Sequence, residues 1–207
     1  MTDKRFLFFD LGGVLIRFLY DFFVERLARM FGVKPVEMVG FLENTWISIE
    51  LGCDENDIYD LFCRHFGVQV ERREFVEVFG LSVEAQDEYR RRPLFRKLRE
   101  AGLELGVISN VNAIHIMYTE KHLSCIFEGI PRWRRFYSFE MGMRKDKTGQ
   151  MFKAVCSRCG VDPRQAILID DSPENILGVK AVGGVGIIFR SFHRTEHELV
   201  RQGILRI

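Results

Sequence analysis

The stretch Arg5-Phe6-Leu7-Phe8-Phe9-Asp10-Leu11-Gly12-Gly13 decides how the rest of the chain reads. Its apolar residues are continuous rather than alternating, which suits a parallel strand covered on both faces, and the paired glycines break it. An aspartate closes the run. In an open α/β sheet ligands bind outside the carboxyl ends of the strands, so a carboxylate at that point is a candidate for chemistry.

Working outward, residues from about Tyr20 to Phe79 carry helical patterns and no convincing strand: Phe22, Phe23, Leu27 and Phe31, then Val36, Val39 and Leu42, then Ile58, Leu61, Phe62 and Phe66. Pro35 suits a first helical turn and Asp54 an N-cap. That block reads as a helical insert, with residues 17–85 as a cap domain and residues 1–16 and 86–207 as the core. A charged helix is expected from Gln86 to Glu100, ended by Gly102. Strands and helices then alternate: strand Leu103 to Ile108, helix Ala113 to His122, strand Phe136 to Phe139, helix Met151 to Cys159 ending at Gly160, strand Ala166 to Ile169, helix Glu174 to Val182 and strand Val185 to Phe189. Thr195 with Glu198 reads as a capping box for a last helix. This alternation predicts an α/β fold with a doubly wound parallel sheet.

Composition excludes several classes. Among 207 residues, 30 Lys and Arg face 29 Asp and Glu, too even a balance for a nucleic-acid coat. The apolar runs fall far short of the roughly 20 residues that span a bilayer. The polar start, Met1 to Arg5, is not expected to be a signal peptide. Five cysteines then predict free thiols in a reducing compartment, the cytoplasm. Cys156 and Cys159 have C-x-x-C spacing but lie inside an expected helix without a second pair, so they read as packing residues. The five histidines show no metal spacing. Arg90-Arg91-Arg92 and Arg132-Trp133-Arg134-Arg135 read as solvated basic surface.

Three strand ends carry polar residues: Asp10, Ser109-Asn110 and Asp170-Asp171. Taken singly, each has an ordinary structural explanation as a turn or cap. Their shared placement at the carboxyl ends of one sheet is what singles them out. Asp10 and Asp171 can share a hard cation such as Mg²⁺, and two carboxylates that close repel without a metal or proton between them. The Ser109-Asn110 turn and an ammonium from Lys145 would bind phosphate oxygens. Together these make a phosphoryl-transfer site, with one aspartate as nucleophile.

These residues resemble the haloacid dehalogenase (HAD) superfamily. Its first motif corresponds to Asp10-Leu11-Gly12-Gly13-Val14, its second to Ser109-Asn110, its third lysine to Met141-Gly142-Met143-Arg144-Lys145, and its fourth to Asp170-Asp171-Ser172-Pro173-Glu174-Asn175. The chain looks most like the α-D-glucose-1-phosphatase-like branch of subfamily IA. The resemblance implies a helical cap inserted after the first strand of a Rossmann-like core. It also implies Asp10 as nucleophile and Mg²⁺ ligand, the Gly12 carbonyl and Asp171 as further ligands, and Asp170 and Asn175 in support. Ser109, Asn110 and Lys145 would bind the phosphoryl group, with Lys147 the alternative lysine. The expected activity is Mg²⁺-dependent hydrolysis of a small phosphorylated metabolite such as a sugar phosphate, by a monomer or homodimer with no nucleic-acid or membrane partner.

One departure matters: Gly12 stands where most phosphatases of the superfamily carry a second aspartate as general acid and base. General acid–base help is worth roughly 10²–10⁴ in rate. Two other readings therefore stay open: a metal-free 2-haloacid dehalogenase, and a catalytically silent binding protein.

Overall fold

Alternate residues of the opening strand enter opposite faces of a sheet, and helices cover both. A computed structural model describes residues 6–206; Met1 to Arg5 and the side chain of Arg90 lie outside the described residues. In β1 (Phe6–Phe9), Leu7 and Phe9 join one apolar layer while Phe6 and Phe8 join another. All four are buried. A strand enclosed on both sides must be apolar at every position, which is why its sequence does not alternate.

The chain then forms β2 (Ile16–Phe18), α1 (Tyr20–Phe31), α2 (Pro35–Glu50), α3 (Glu55–Phe66), α4 (Arg72–Leu81) and β3 (Val83–Ala85). It continues as α5 (Glu88–Glu100), β4 (Glu104–Ser109), α6 (Ala113–His122), β5 (Arg135–Tyr137), the single turn α7 (Ser138–Met141) and α8 (Gln150–Arg158). It ends as β6 (Ala166–Asp170), α9 (Pro173–Ala181), β7 (Val185–Ile188) and α10 (Phe192–Arg201). The five-stranded sheet has the order β5-β4-β1-β6-β7, with every neighbouring pair parallel. One covering layer draws on α5, α6 and α10 through Leu94, Phe95, Ile116, Phe192 and Leu199. The opposite layer draws on α8 and α9 through Met151, Phe152, Val155, Cys156 and Val179.

Helices α1 to α4 bury an apolar cluster of their own, built on Phe23, Phe31, Phe62, Phe75 and Phe79 and joined by Ile114 of α6. Pro35 opens α2, and the Asp54 carboxylate caps α3 by accepting from the Asp57 N–H at 2.9 Å. His115 of α6 meets this block. Its ring contacts Ser82 Oγ at 3.1 Å and Asn112 Nδ2 at 2.9 Å, and burial pushes its pKa down to about 3. It is a neutral structural histidine.

Four expectations are corrected. β2 and β3, which pair antiparallel on either side of the four helices, were not foreseen, since three residues each give too short a pattern. The segment Phe136 to Phe139 is only partly strand: β5 ends at Tyr137 and α7 begins at Ser138. Thr195 does not cap the last helix. Ser191 does, accepting from the Arg194 N–H at 3.2 Å, and Thr195 is buried a turn inside. The basic cluster after α6 is paired rather than merely solvated: Arg132 bonds Glu140, Arg134 bonds Glu104 and Arg135 bonds Glu120.

Candidate active site

The carboxyl ends of β4, β1 and β6, three adjacent strands, bring the sequence candidates together. The Asp10 N–H donates to the Ile169 carbonyl at 2.9 Å, so the strand pairing runs up to the residue that carries the carboxylate. Lys145 arrives from the loop after α7. Its Nζ lies 2.8 Å from Asp10 Oδ1 and 2.6 Å from Asp170 Oδ2, and the side chain is almost fully buried. Lys147, the alternative lysine, is exposed.

Each carboxylate has a different environment. Asp170 is sealed from solvent and saturated: besides Lys145, it accepts from the Ser172 N–H at 2.9 Å and from Asn175 Nδ2 at 3.0 and 3.1 Å. Asp171 is exposed. One oxygen from each of Asp10, Asp170 and Asp171 lies within 4.8 Å of the others, a donor set that could hold a metal ion. Hard carboxylate oxygens at that spacing, with one ammonium for three acids, fit a divalent cation such as Mg²⁺.

Burial raises the Asp10 carboxyl to about 7, helped by repulsion from Asp170 and opposed by Lys145 and the Ser109 hydroxyl. For Lys145, burial pulls the pKa down, but Asp10 and Asp170 outweigh it and hold the ammonium above its ordinary value. Burial and Asp170 also raise Asp171. The charge is thus unbalanced toward the negative.

Ser109 is buried beside Asp10. The Asn110 side chain reaches the lysine loop. Its Oδ1 accepts from the Lys145 N–H at 2.7 Å and its Nδ2 donates to the Lys145 carbonyl at 3.0 Å. These two bonds clamp the lysine loop.

The sequence profile of the haloacid dehalogenase-like hydrolases matches residues 5–183. The chain belongs to that family. Among solved structures, the hydrolase is similar to a HAD family enzyme from Bacteroides thetaiotaomicron, with 23% identity, a TM-score of 0.79, and coverage of 95% of this chain and 98% of the other. The same enzyme in complex with magnesium and inorganic phosphate matches with 24% identity and a TM-score of 0.76 over 90% of this chain and 94% of the other. A predicted HAD-like family hydrolase from Porphyromonas gingivalis matches with 18% identity and a TM-score of 0.74, covering 97% and 99%.

Two adjacent glycines of this hydrolase do different work. A Cβ on Gly13, whose φ is +70°, would fall 2.1 Å from Asp171 Oδ2, whereas a Cβ on Gly12 would meet nothing within 4 Å. Gly13→Ala should therefore cost roughly 1–2 kcal/mol for the left-handed backbone alone and displace Asp171 as well. Its melting temperature and Mg²⁺ affinity should both fall, while Gly12→Ala should melt close to wild type. Thermal melts and Mg²⁺ titrations of the two variants make the comparison, and equal behaviour would contradict it.

Sequence reasoning passed over Glu50, the last residue of α2. It is almost fully buried, accepts from Trp46 Nε1 at 2.8 Å and lies 2.9 Å from Arg144 Nε. The Trp46-to-Glu50 spacing of four was a readable helix pair. The approach of Arg144, 94 positions on, was not.

Proposed function

We propose that this hydrolase is a phosphomonoesterase that works through an aspartyl-phosphate on Asp10. The observation that carries the reading is the buried Lys145 ammonium, held against Asp10 and Asp170 where three parallel strands end. The Asp10 carboxylate attacks phosphorus and the ester oxygen departs. Lys145 and the Ser109 hydroxyl hold phosphoryl oxygens as charge builds on them. Asn110 keeps Lys145 in register through its two backbone bonds. Mg²⁺ held by Asp10, Asp171 and the Gly12 carbonyl would neutralise charge between phosphate and carboxylates. Water then cleaves the aspartyl-phosphate and frees Asp10.

The Bacteroides enzyme's complex with magnesium and inorganic phosphate supports this direction. The D-L-G first motif and Gly-Met-Arg-Lys third motif support a place in the α-D-glucose-1-phosphatase-like branch; we further propose a small phosphorylated metabolite as substrate, helices α1 to α4 as the cap over the site, and the cytoplasm as location. Among the described residues no helix is long and apolar enough to cross a membrane. Gly12 is what favours the dehalogenase and silent-protein readings. Three clustered acids against one ammonium weigh against a site that works without a cation.

The test is inorganic phosphate release from a panel of metabolite and aryl phosphates, with Mg²⁺ and with EDTA. Release that needs Mg²⁺ is expected; none from any ester would reject the proposal. Asp171→Asn should weaken Mg²⁺ more than Asp170→Asn, whose loss should be roughly 10–100-fold, as for residues that orient ligands. Equal or reversed effects in a Mg²⁺ titration would mean that the pair is assigned backwards.

A further inference from the structure

We propose that Glu50, carried by α2, is the acid–base residue that Gly12 does not supply; this rests on the phosphomonoesterase reading above. A carboxyl group is seldom buried without full hydrogen bonding. Glu50 is 5% exposed. Trp46 Nε1 fixes Oε1 at 2.8 Å. Oε2 forms an ion pair with Arg144 Nε at 2.9 Å, and neither of these buried atoms makes a well-directed hydrogen bond. An ion pair whose hydrogen bond is poorly directed suits a third group, an oxygen that can accept from both.

The pair adjoins the lysine of the candidate site. Arg144 immediately precedes Lys145, whose Nζ touches Asp10. α2 packs against α7, the turn that leads into this loop. Space stands open where a side chain at position 12 would begin.

The chemistry then balances. An Asp10 oxygen bonds to phosphorus, and the bond from phosphorus to the ester oxygen breaks with its electron pair. The proton of Glu50 goes to that oxygen, so a neutral alcohol leaves and Glu50 becomes a carboxylate beside Arg144. Water next attacks phosphorus and returns a proton to Glu50 as the bond to Asp10 breaks, releasing inorganic phosphate. Burial holds the Glu50 carboxyl above its ordinary pKa, opposed by Arg144, the Trp46 hydrogen bond and Lys145, the groups that face it. That direction suits an acid working near neutral pH.

Glu50→Gln keeps the shape and the Trp46 bond but carries no acidic proton. With Mg²⁺ present, kcat/KM for an alkyl phosphate should fall roughly 10²–10⁴-fold, while that for an aryl phosphate with an acidic phenol should fall less than about 10-fold. The wild-type alkaline limb for the alkyl ester should disappear. Adding Gly12→Asp to Glu50→Gln should recover alkyl hydrolysis at least about 10-fold, because position 12 has room for the new carboxylate. Equal losses on both esters, or no recovery in the folded double variant, would overturn the proposal and reduce Glu50 to a contact between α2 and the lysine loop. Those outcomes leave the phosphomonoesterase reading intact; wild-type protein inert toward both esters would remove both. If Glu50→Gln fails to fold, Trp46→Phe serves instead. Loss of its N–H should move the alkaline limb to higher pH, and an unmoved limb would count against Glu50.

Discussion

Asp10→Asn should hydrolyse an aryl phosphate at least about 10⁴-fold more slowly than wild type, while remaining folded. Removing a covalent nucleophile takes away the pathway itself, and losses of about 10⁶ are known for such residues. Asparagine keeps the side-chain shape and an oxygen for the Leu11 N–H, which now donates to Asp10 Oδ1 at 2.7 Å. The variant also tests the proton on Asp10. Burial raises this carboxyl to about 7, above its unfolded value of 3.8. Below that pH the metal-free protein keeps the proton, so cation binding must expel it. Mg²⁺ affinity of wild type should climb as pH rises toward 7 and then level, and proton release at pH 6 should show in calorimetry in two buffers. Asp10→Asn should bind Mg²⁺ more weakly, and its affinity should rise less steeply over the same range. A variant with wild-type turnover would sink the mechanism, and an identical pH dependence would sink the assignment of the proton.

Lys145→Met should lose stability as well as activity. Lys145 is the one cation within salt-bridge distance of Asp10 and Asp170 among the described residues, and both carboxylates are buried. Breaking a buried pair from one side typically costs about 3–5 kcal/mol, because the orphaned charge has nowhere to go. For a chain of this size that is a drop in melting temperature on the order of 10 °C. Three consequences separate this cause from poor packing of methionine. The deficit should be largest in EDTA, because a divalent cation replaces part of the missing charge. It should shrink as pH falls toward 5, because carboxylates raised in the folded state take up protons and their repulsion ends. Lys147→Met, on an exposed residue two positions on, should melt within about 0.5 kcal/mol of wild type. Hydrolysis by Lys145→Met should fall about 10²–10³-fold, the usual loss for one preorganised donor to a charged transition state. A deficit that ignores both Mg²⁺ and pH would show that the lysine acts through packing alone.

Much of the candidate site was legible because Asp10, Ser109 and Asp170 each follow a run that is apolar for a simple reason. Phe6 to Phe9, Leu105 to Ile108 and Ile167 to Ile169 are enclosed on both faces, so a polar residue directly after each one stands out. Lys145 stood out less, since nothing apolar leads into it, and only the resemblance set it ahead of Lys147. The role of Asn110 was hidden because its partner is a backbone 35 positions away. Thr195 misled for a local reason. Thr-x-x-Glu satisfies the capping pattern, but Ser191 offers a hydroxyl one turn earlier and the helix starts there. β2 and β3 lie 65 residues apart and find each other only once the helices between them have folded back. Glu50 and Arg144 meet by the same kind of long return.

The placement of β1 at the centre of the sheet also sets an order of events during synthesis. Phe6 pairs with Glu104 on one side and Ala166 on the other, so its neighbours leave the ribosome nearly a hundred and then 160 residues after it. At about 5–20 residues per second, the Phe-Leu-Phe-Phe segment waits several seconds without a sheet to join. Helices α1 to α4 have most of their apolar partners within their own stretch and can collapse during that wait. The nascent chain thus carries a helical block that can collapse on itself beside a phenylalanine-rich segment that still lacks its sheet partners.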